Sequence, residues 1–499
     1  MGENKMKKLM KWLMVVAALV VTMMVTAPAT SHADTTASDQ YLTNVKAKGE
    51  LVVGTSPDFP PYEFTKNING KSKVVGMDIE IAKKVAHDMG VKLVIRRMDF
   101  DSLLVALQTG KVDMVIAGMS KTPKRAKSVD FSEVYYKAGE DLVIKKADQG
   151  KIKSYKDLAG KGIGAQTGSI QYNLVKNQAT KSTLKGMDKD TDLILALQTN
   201  KIDAIALDQP TAEAYAKNTQ GLVAINAHFK DEGAQGSAIA FPKGAQSMVA
   251  SANKSIDTIK SQNLIHKKYL PEAGKYLSTG HSKSAKAANS MWAYKDFFVA
   301  GVGYTLMISA VSVVLGFLLG TLLALMRLSK NKFANAISVS YIEFVRGTPL
   351  MVQILFIYFG LGLVVNIPAL LSGIIAVSLN SGAYVAEVIR SGINSIAVGQ
   401  TEAARSLGLS RGMTMRFIVL PQAMKNIWPA LGNEFVSLIK ESSIVSIIGV
   451  KDLIYQSRIV QADTYRGVMP LIITMILYFI MTFGLSRLMK FFEGRMTHE

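Results

Sequence analysis

Five apolar runs after residue 296 constrain this chain more than any other feature. They lie near Phe298–Met326, Ile342–Val365, Leu370–Ile389, Trp428–Val450 and Met469–Met489. Each is long enough to cross a hydrocarbon core about 30 Å thick. No water there satisfies backbone N–H and C=O groups, so runs of this length are expected as α-helices. Residues 297–499 therefore read as an all-α transmembrane domain of about five spans. Basic residues give its direction. Arg327, Lys330 and Lys332 follow the first run, Arg405, Arg411 and Arg416 lie between the third and fourth, and Arg487, Lys490 and Arg495 follow the last. Excess Arg and Lys in short loops faces the cytoplasm, which puts the chain before the first run outside.

Between the third and fourth runs lies a polar insert, about 396–421. Its centre, Glu402 to Pro421, reads EAARSLGLSRGMTMRFIVLP. Residues 402–407 favour helix, Gly408 interrupts it and Pro421 opens the next run. The expectation is a helix-turn-helix lying on the inner membrane surface. Glu402, Ala403, Ala404 and Gly408, with the Leu420-Pro421 pair at this spacing, resemble the coupling loop of ABC importer permeases. The resemblance implies that these residues dock a cytoplasmic ATPase. The runs Arg346 to Leu350 and Ser381 to Glu387 resemble the amino-acid permeases of the same family. Glu343, Glu387 and Glu434 fall at or near membrane depth, where charge is costly and should face protein or a water-filled path.

The half before the spans has a different character. Residues 1–33 read as a signal peptide, with Lys5, Lys7, Lys8 and Lys11, an apolar core from Leu13 to Val25, and a small-x-small site at Ser31-His32-Ala33. An uncleaved anchor is the alternative. Residues 34–275 alternate strand and helix patterns, and 276–296 read as a polar linker. Strands are expected at Leu51–Gly54, Val91–Ile95 and Val112–Ile116, with helices at Ile79–Met89 and Phe100–Gln108. A repeat stands out: Ala106 to Asp113 (ALQTGKVD) returns as Ala196 to Asp203 (ALQTNKID). Each copy is a helix end, a turn and a strand. Two α/β lobes with equivalent strand ends imply a cleft, because ligands bind at the carboxyl ends of strands in open α/β sheets.

Residues 45–275 resemble the amino-acid class of bacterial solute-binding proteins. The likeness rests on Gly54 to Phe64 (GTSPDFPPYEF), Gly76 to Ile79, Gly118 to Arg125 (GMSKTPKR), Val129 to Ser132 and Gln166 to Ser169. It implies a two-lobed periplasmic-binding-protein fold, with the second lobe at about 141–230 and crossings near 138–141 and 225–237. It also implies a free L-amino acid as ligand. Arg125 would then hold the carboxylate with a planar cationic fork. Thr167, Gly168 and Ser169 would offer backbone N–H groups at a helix start, although Ser169 also reads as a plain N-cap. Asp208 would take the ammonium with the Gly118 carbonyl and the Ser120 hydroxyl; the alternative is a helix cap. Phe59 and Tyr62 would wall the ligand's stem, or pack in the core. Relatives that bind basic or amide side chains carry Asp where this chain has Ser56. That favours a neutral ligand such as glutamine, with arginine or another basic amino acid next, where Asp58 or Glu63 could stand in for the missing acid.

Composition limits the other classes. The net charge is +20, but the lysines are scattered without interleaved aromatics, so no nucleic-acid partner is expected. The chain has no cysteine and six scattered histidines, so no disulfide, thiolate metal site or catalytic constellation is expected. It is read as a transport subunit and not an enzyme. The chain holds no phosphate-loop motif, so ATP is expected on a separate ATPase subunit and no cofactor in this chain. The family implies a second permease copy, a homodimer in the simplest case. The expected location is the cell membrane, multi-pass, with the binding lobes on the extracytoplasmic side. An amino-acid-gated channel or a membrane receptor built on the same module is the alternative.

Overall fold

The computed structural model describes residues 40–278, except 69–70 and 231–235, and residues 291–497, except 366 and 465. The expected signal peptide and most of the expected linker lie outside the described residues.

Lobe one is built on β1 (Glu50–Thr55), β5 (Lys92–Arg97), β6 (Met114–Val115), β7 (Val129–Tyr136) and β13 (Ser237–Pro242), in the order β5-β1-β6-β13-β7. Strand β1 runs parallel to both neighbours, and β13 runs antiparallel to β6 and β7. Both faces of β1 are covered, which is why it is a continuous apolar run. Leu51 and Val53 pack with Val45 of α1 (Tyr41–Lys48), with Met77, Ile81 and Val85 of α2 (Met77–Met89), with Met248 and Ile256 of α8 (Gln246–Ser261) and with Leu270 of α9 (Leu270–Ser278). Val52 packs on the other face with Leu103 and Leu107 of α3 (Leu103–Gln108). A small antiparallel sheet, β2 (Asp58–Phe59), β3 (Glu63–Ile68) and β4 (Lys71–Val75), follows β1 on this lobe.

Lobe two holds β8 (Glu140–Lys145), β9 (Gly162–Gln166), β10 (Thr183–Met187), β11 (Ala204–Asp208) and β12 (Leu222–Asn226), in the order β10-β9-β11-β8-β12. Helices α5 (Ile170–Gln178), α6 (Asp190–Gln198) and α7 (Gln209–Asn218) connect them. The chain leaves the first sheet after Tyr136, enters the second at Glu140 and returns between Asn226 and Ser237. Two such connections make a hinge. The repeated sequence folds as repeated structure. α3 and α6 each end on a threonine, Thr109 or Thr199, whose hydroxyl donates to the carbonyl four residues back at 2.8 Å. Each then turns into the central strand of its own sheet.

The second half is helical: α10 (Lys295–Leu328), α11 (Lys332–Arg346), α12 (Leu350–Leu355), α13 (Ala369–Asn394), α14 (Val398–Ser406), α16 (Leu420–Glu441), α17 (Leu453–Thr464) and α18 (Val468–Thr497), with one short turn, α15 (Arg411–Thr414). Among the described residues three helices, within α10, α13 and α18, are long and apolar enough to cross a membrane. The second expected span is not one helix. Its two parts meet at 105°, across Gly347, Thr348 and Pro349, because proline cannot donate to a continuing helix and disfavours helix at the residue before it. The fourth is also different from the expectation. It starts at Leu420, ends in a tight turn at Ser442–Ile448, and carries Lys425, Glu434, Lys440 and Glu441, so it is not apolar enough by itself to count as a span. It packs against α13 and α18. Outer faces are apolar: Leu318, Leu322 and Leu325 of α10 and Phe479 and Ile480 of α18 are all exposed. Glu387 is neutralised by Arg327 at 2.7 Å and Arg390 at 2.5 Å. Glu343 is exposed and Glu434 half-buried.

The lobes sit against one end of this helical domain. Lys66 pairs with Asp463 at 3.1 Å. Lys111 donates to the Ile367 carbonyl at 3.2 Å and lies over the Tyr358 ring. From there α13 runs 26 residues, ~39 Å at the helical rise, and delivers α14 to the opposite end.

The close contact between α10 and α13 has a sequence signature. Gly316 and Gly320 share one face of α10. A Cβ on Gly320 would lie 2.6 Å from Val385, and one on Gly316 2.7 Å from the Ser381 hydroxyl. Small residues let membrane helices approach this closely. Gly320→Ile should therefore lower the melting temperature of the detergent-purified protein, by the ~1–3 kcal/mol typical of overpacking. Gly303→Ala meets nothing within 4 Å and should not; equal melting of the two variants would refute the packing argument.

Candidate functional site

The carboxyl ends of β1, β6, β9 and β11 converge where the lobes meet. Each delivers a loop: Ser56 after β1, Gly118 to Ser120 after β6, Thr167 to Ser169 after β9, and Asp208 at the end of β11. Between them is a small, tight cavity. Ser56, Phe59, Glu63, Phe100, Gly118, Ser120 and Arg125 line it from lobe one, and Gln166, Ser169, Ile170 and Gln171 from lobe two. Five of the expected ligand residues, Phe59, Gly118, Ser120, Arg125 and Ser169, are on this wall. Asp208 is not. It lines the wider mouth of the cleft with Ser120, Lys137 and Asn173.

Arg125 belongs to the short helix α4 (Pro123–Ala126), whose cap, Thr122, accepts its backbone N–H at 3.3 Å. The guanidinium donates to the Ser120 carbonyl at 2.6 Å and, across the cleft, to the Gly168 carbonyl at 2.9 Å. Its other flank is the Phe100 ring. Burial pushes its pKa down to about 10, so it stays cationic at neutral pH. A fork held by two carbonyls has exchangeable partners, and a carboxylate is the stronger acceptor.

Gly118 has φ of 53°, and a Cβ there would lie 2.6 Å from the Phe59 ring. Only glycine fits this position without strain. Its N–H donates to Asp78 at 2.7 Å, and Tyr135 donates to the same carboxylate oxygen at 2.7 Å. Burial raises Asp78 to about 6, against these hydrogen bonds, which lower it. Sequence reading quoted Asp78 in a motif but missed this positioning role. It also missed Phe100, Gln166 and Gln171. No local spacing marks them, because their shared wall exists only once two sheets are placed.

Three expectations change. Tyr62 is fully buried in the core of lobe one, stacked on Phe59 at 5.1 Å. It is not a wall of the cavity, because the turn between β2 and β3 that carries it packs its ring into the core of lobe one. Its hydroxyl instead reaches across and donates to Asp208 at 3.0 and 3.1 Å. The Thr167 N–H is already given to the Met187 carbonyl at 2.8 Å, and that of Ser169 to the Gln166 carbonyl at 3.1 Å, so neither offers the donor expected of it. Gly168, at φ of 80°, makes the turn between them. Ser169 caps α5, accepting from the Tyr172 N–H at 3.0 Å.

Asp58 and Glu63, the candidate stand-in acids, are both buried. Asp58 faces Lys189 at 3.7 Å. Glu63, on the cavity wall, is held well above the usual carboxylate range by burial first and by Asp78 next. At the far end of the molecule, Glu402 and Ala403 are exposed on α14 and Ala404 is buried. Gly408 follows at φ of 84° with nothing near its missing Cβ. Leu407 beside it is 85% exposed, an apolar surface with no partner among the described residues.

Burial raises Asp208 to about 8, from a usual 3.8. The native state then binds a proton that the unfolded chain releases, so stability is present below the unfolded value and lost as pH rises through about 8. Melting temperature should fall as pH rises across that window, and Asp208→Asn should fall less steeply; matching slopes would refute the shift.

Comparison with known proteins gives two matches along the chain. Residues 51–272 match the bacterial extracellular solute-binding proteins, family 3. Residues 312–498 match the inner membrane component of binding-protein-dependent transport systems. A Rickettsia typhi protein named "Putative glutamine transport system permease protein" is 41% identical over 202 residues, 40% of this chain and 93% of that protein. The arginine-binding extracellular protein of Bacillus subtilis is 34% identical over 262 residues, 52% of this chain and 95% of that protein. An arginine transport system permease protein of Bacillus subtilis is 40% identical over 202 residues, 40% of this chain and 92% of that protein.

Proposed function

We infer the function from one premise: this chain belongs to the amino-acid ABC importers, as a family-3 solute-binding protein fused to an inner-membrane permease. It is a membrane protein of amino-acid uptake. The finer reading is that the lobes capture one free L-amino acid outside the membrane and deliver it to the permease. The observation that carries this reading is the convergence of a cationic fork and an aromatic wall around one interlobe cavity, with the Asp208 carboxyl at the mouth of the same cleft.

Arg125 exchanges its two carbonyl partners for the ligand's carboxylate, helped by the start of α5. Asp208 takes the ammonium with the Gly118 carbonyl and Ser120 hydroxyl, and releases its proton to do so. Phe59 and Phe100 hold the aliphatic stem. The side chain then points at Ser56, the carboxyl of Glu63 and the amide of Gln166. A neutral group with both donors and acceptors suits these partners, so glutamine is the favoured ligand. Arginine is next, because the relatives include proteins named for either amino acid. ATP is hydrolysed by a separate ATPase subunit that docks on α14 through Glu402, Ala403 and Ala404 and the exposed Leu407. A second copy of the permease completes the pathway, as a homodimer.

Titrating the purified full chain with each of the twenty amino acids tests the substrate. We expect glutamine to bind most tightly and Arg125→Ala to lose at least about a hundredfold, the range for leaving a charged partner unpaired. Tight binding of arginine would replace glutamine, and binding by none would remove amino acids from the reading. Coupling is tested in proteoliposomes carrying the ATPase partner. Gly408→Asp forces a side chain into the left-handed region and adds charge at the docking surface. We expect it to retain ligand affinity and lose ATP-driven uptake, whereas normal uptake would count against the coupling role.

A further inference from the structure

The ligand residues are not the only link between the lobes. On the side facing the permease, a second set of charges crosses the cleft. Lys189, at the start of α6 in lobe two, places its Nζ 2.9 Å from Asp99 and 3.7 Å from Asp58. Both acids belong to lobe one. The same Nζ donates to the Ser56 hydroxyl at 3.3 Å. The Asp190 N–H donates to Asp58 at 2.9 Å, and the Tyr215 hydroxyl to the Asp58 carbonyl at 2.6 Å. Lys189, Asp58 and Asp99 are each no more than 9% exposed. None of them is a residue assigned to the ligand's carboxylate or ammonium.

The cluster has a third body. Asp99 shows one carboxylate oxygen to Lys189 and the other to Arg458 of α17, 3.9 Å away. Arg458 also acts on Asp192 of lobe two, lowering its otherwise raised pKa. Helix α17 is the segment that pairs Asp463 with Lys66 of lobe one. The turn after it brings Gly467 against Leu195 of lobe two. One permease segment therefore touches both lobes at the rim of the cleft.

We propose that Lys189 is the centre of an interlobe latch that meets the ligand wall at Ser56, and that Arg458 of the permease caps it. The sign follows from burial. Open lobes leave these charges in water, where each is solvated alone. Closed lobes bury the Asp58 and Asp99 carboxylates against Lys189, with Arg458 on the second oxygen of Asp99. A buried charge without its partner is strongly disfavoured, so the closed state requires Lys189 while the open state does not. Because Arg458 reaches the same carboxylate, docking on α17 favours closure, and closure favours docking by the same factor. The latch builds on the transport reading but is independent of which amino acid is carried.

The chain has no cysteine, so two introduced labels report without background. Dyes at His87→Cys in lobe one and Lys185→Cys in lobe two, both exposed, read lobe closure by single-molecule energy transfer. The full chain is measured in nanodiscs without added ligand. Lys189→Met should raise the open-to-closed ratio at least tenfold, the effect of about 1.4 kcal/mol. Lys189→Arg should stay near the parent, which a purely steric role would not predict. Arg458→Met should raise the ratio by less. Should Lys189→Met fail to fold, Lys189→Gln must show the same opening. An unchanged ratio in Lys189→Met or its substitute overturns the latch, and an unchanged ratio in Arg458→Met overturns the cap. A parallel run with glutamine separates the two readings: a parent protein that glutamine does not close counts against the substrate, while the ligand-free comparison still decides the latch.

Discussion

Closing two lobes on each other buries charges that neither lobe neutralises by itself, and most of the site's chemistry follows from that. Asp208 of lobe two is met by the Tyr62 hydroxyl of lobe one. Arg125 of lobe one reaches the Gly168 carbonyl of lobe two. Lys189 of lobe two reaches Asp99 of lobe one. Each contact crosses a boundary that the chain itself crosses only between Tyr136 and Glu140 and between Asn226 and Ser237. The electrostatics of the site are therefore a property of the closed arrangement. Opening returns Asp208, Arg125 and Lys189 to water, which removes the burial that shifts Asp208 and Arg125 and the carboxylates that hold Lys189 up.

The helical half answers to a different constraint. Backbone groups in hydrocarbon must be satisfied within the segment, so the chain is helical wherever it is apolar for long. Deviations need a local cause. Pro349 explains the bend after α11. The charges of α16 are explained by its place among α13, α10 and α18, away from a purely lipid surroundings. Close approach of α10 and α13 rests on Gly316, Gly320 and Gly382, a pattern of small residues rather than of large ones, because lipid gives no hydrophobic gain for bringing two apolar helices together.

Much of this was legible from residue order alone. The ALQT repeat became two equivalent helix-to-strand turns, and the Gly118 loop and Arg125 came to one cavity wall, because both depend on neighbours within a few positions. Tyr62 was misplaced because it lies in the turn between β2 and β3, where no periodicity says whether a ring faces cleft or core. Thr167 and Ser169 were misread because their N–H partners, Met187 and Gln166, are set by pairing of β9 with β10 and by the turn itself. Asp78 escaped notice as a positioning group since its partners, Gly118 and Tyr135, are 40 and 57 residues away.

What the sequence by itself determined is the division of labour: an α/β pair of lobes, an apolar helical domain, and a basic polar insert between spans. Hydrophobic periodicity, run length and charge bias are local quantities, and they carry that much without coordinates. Only the tertiary structure decided which side chains share a wall, which carboxyls are protonated and which charges are paired. Those depend on distance and desolvation between residues far apart in sequence. Lys189 is the clearest instance: in the chain it is one lysine among many, and only the meeting of two lobes and a permease helix surrounds it with carboxylates.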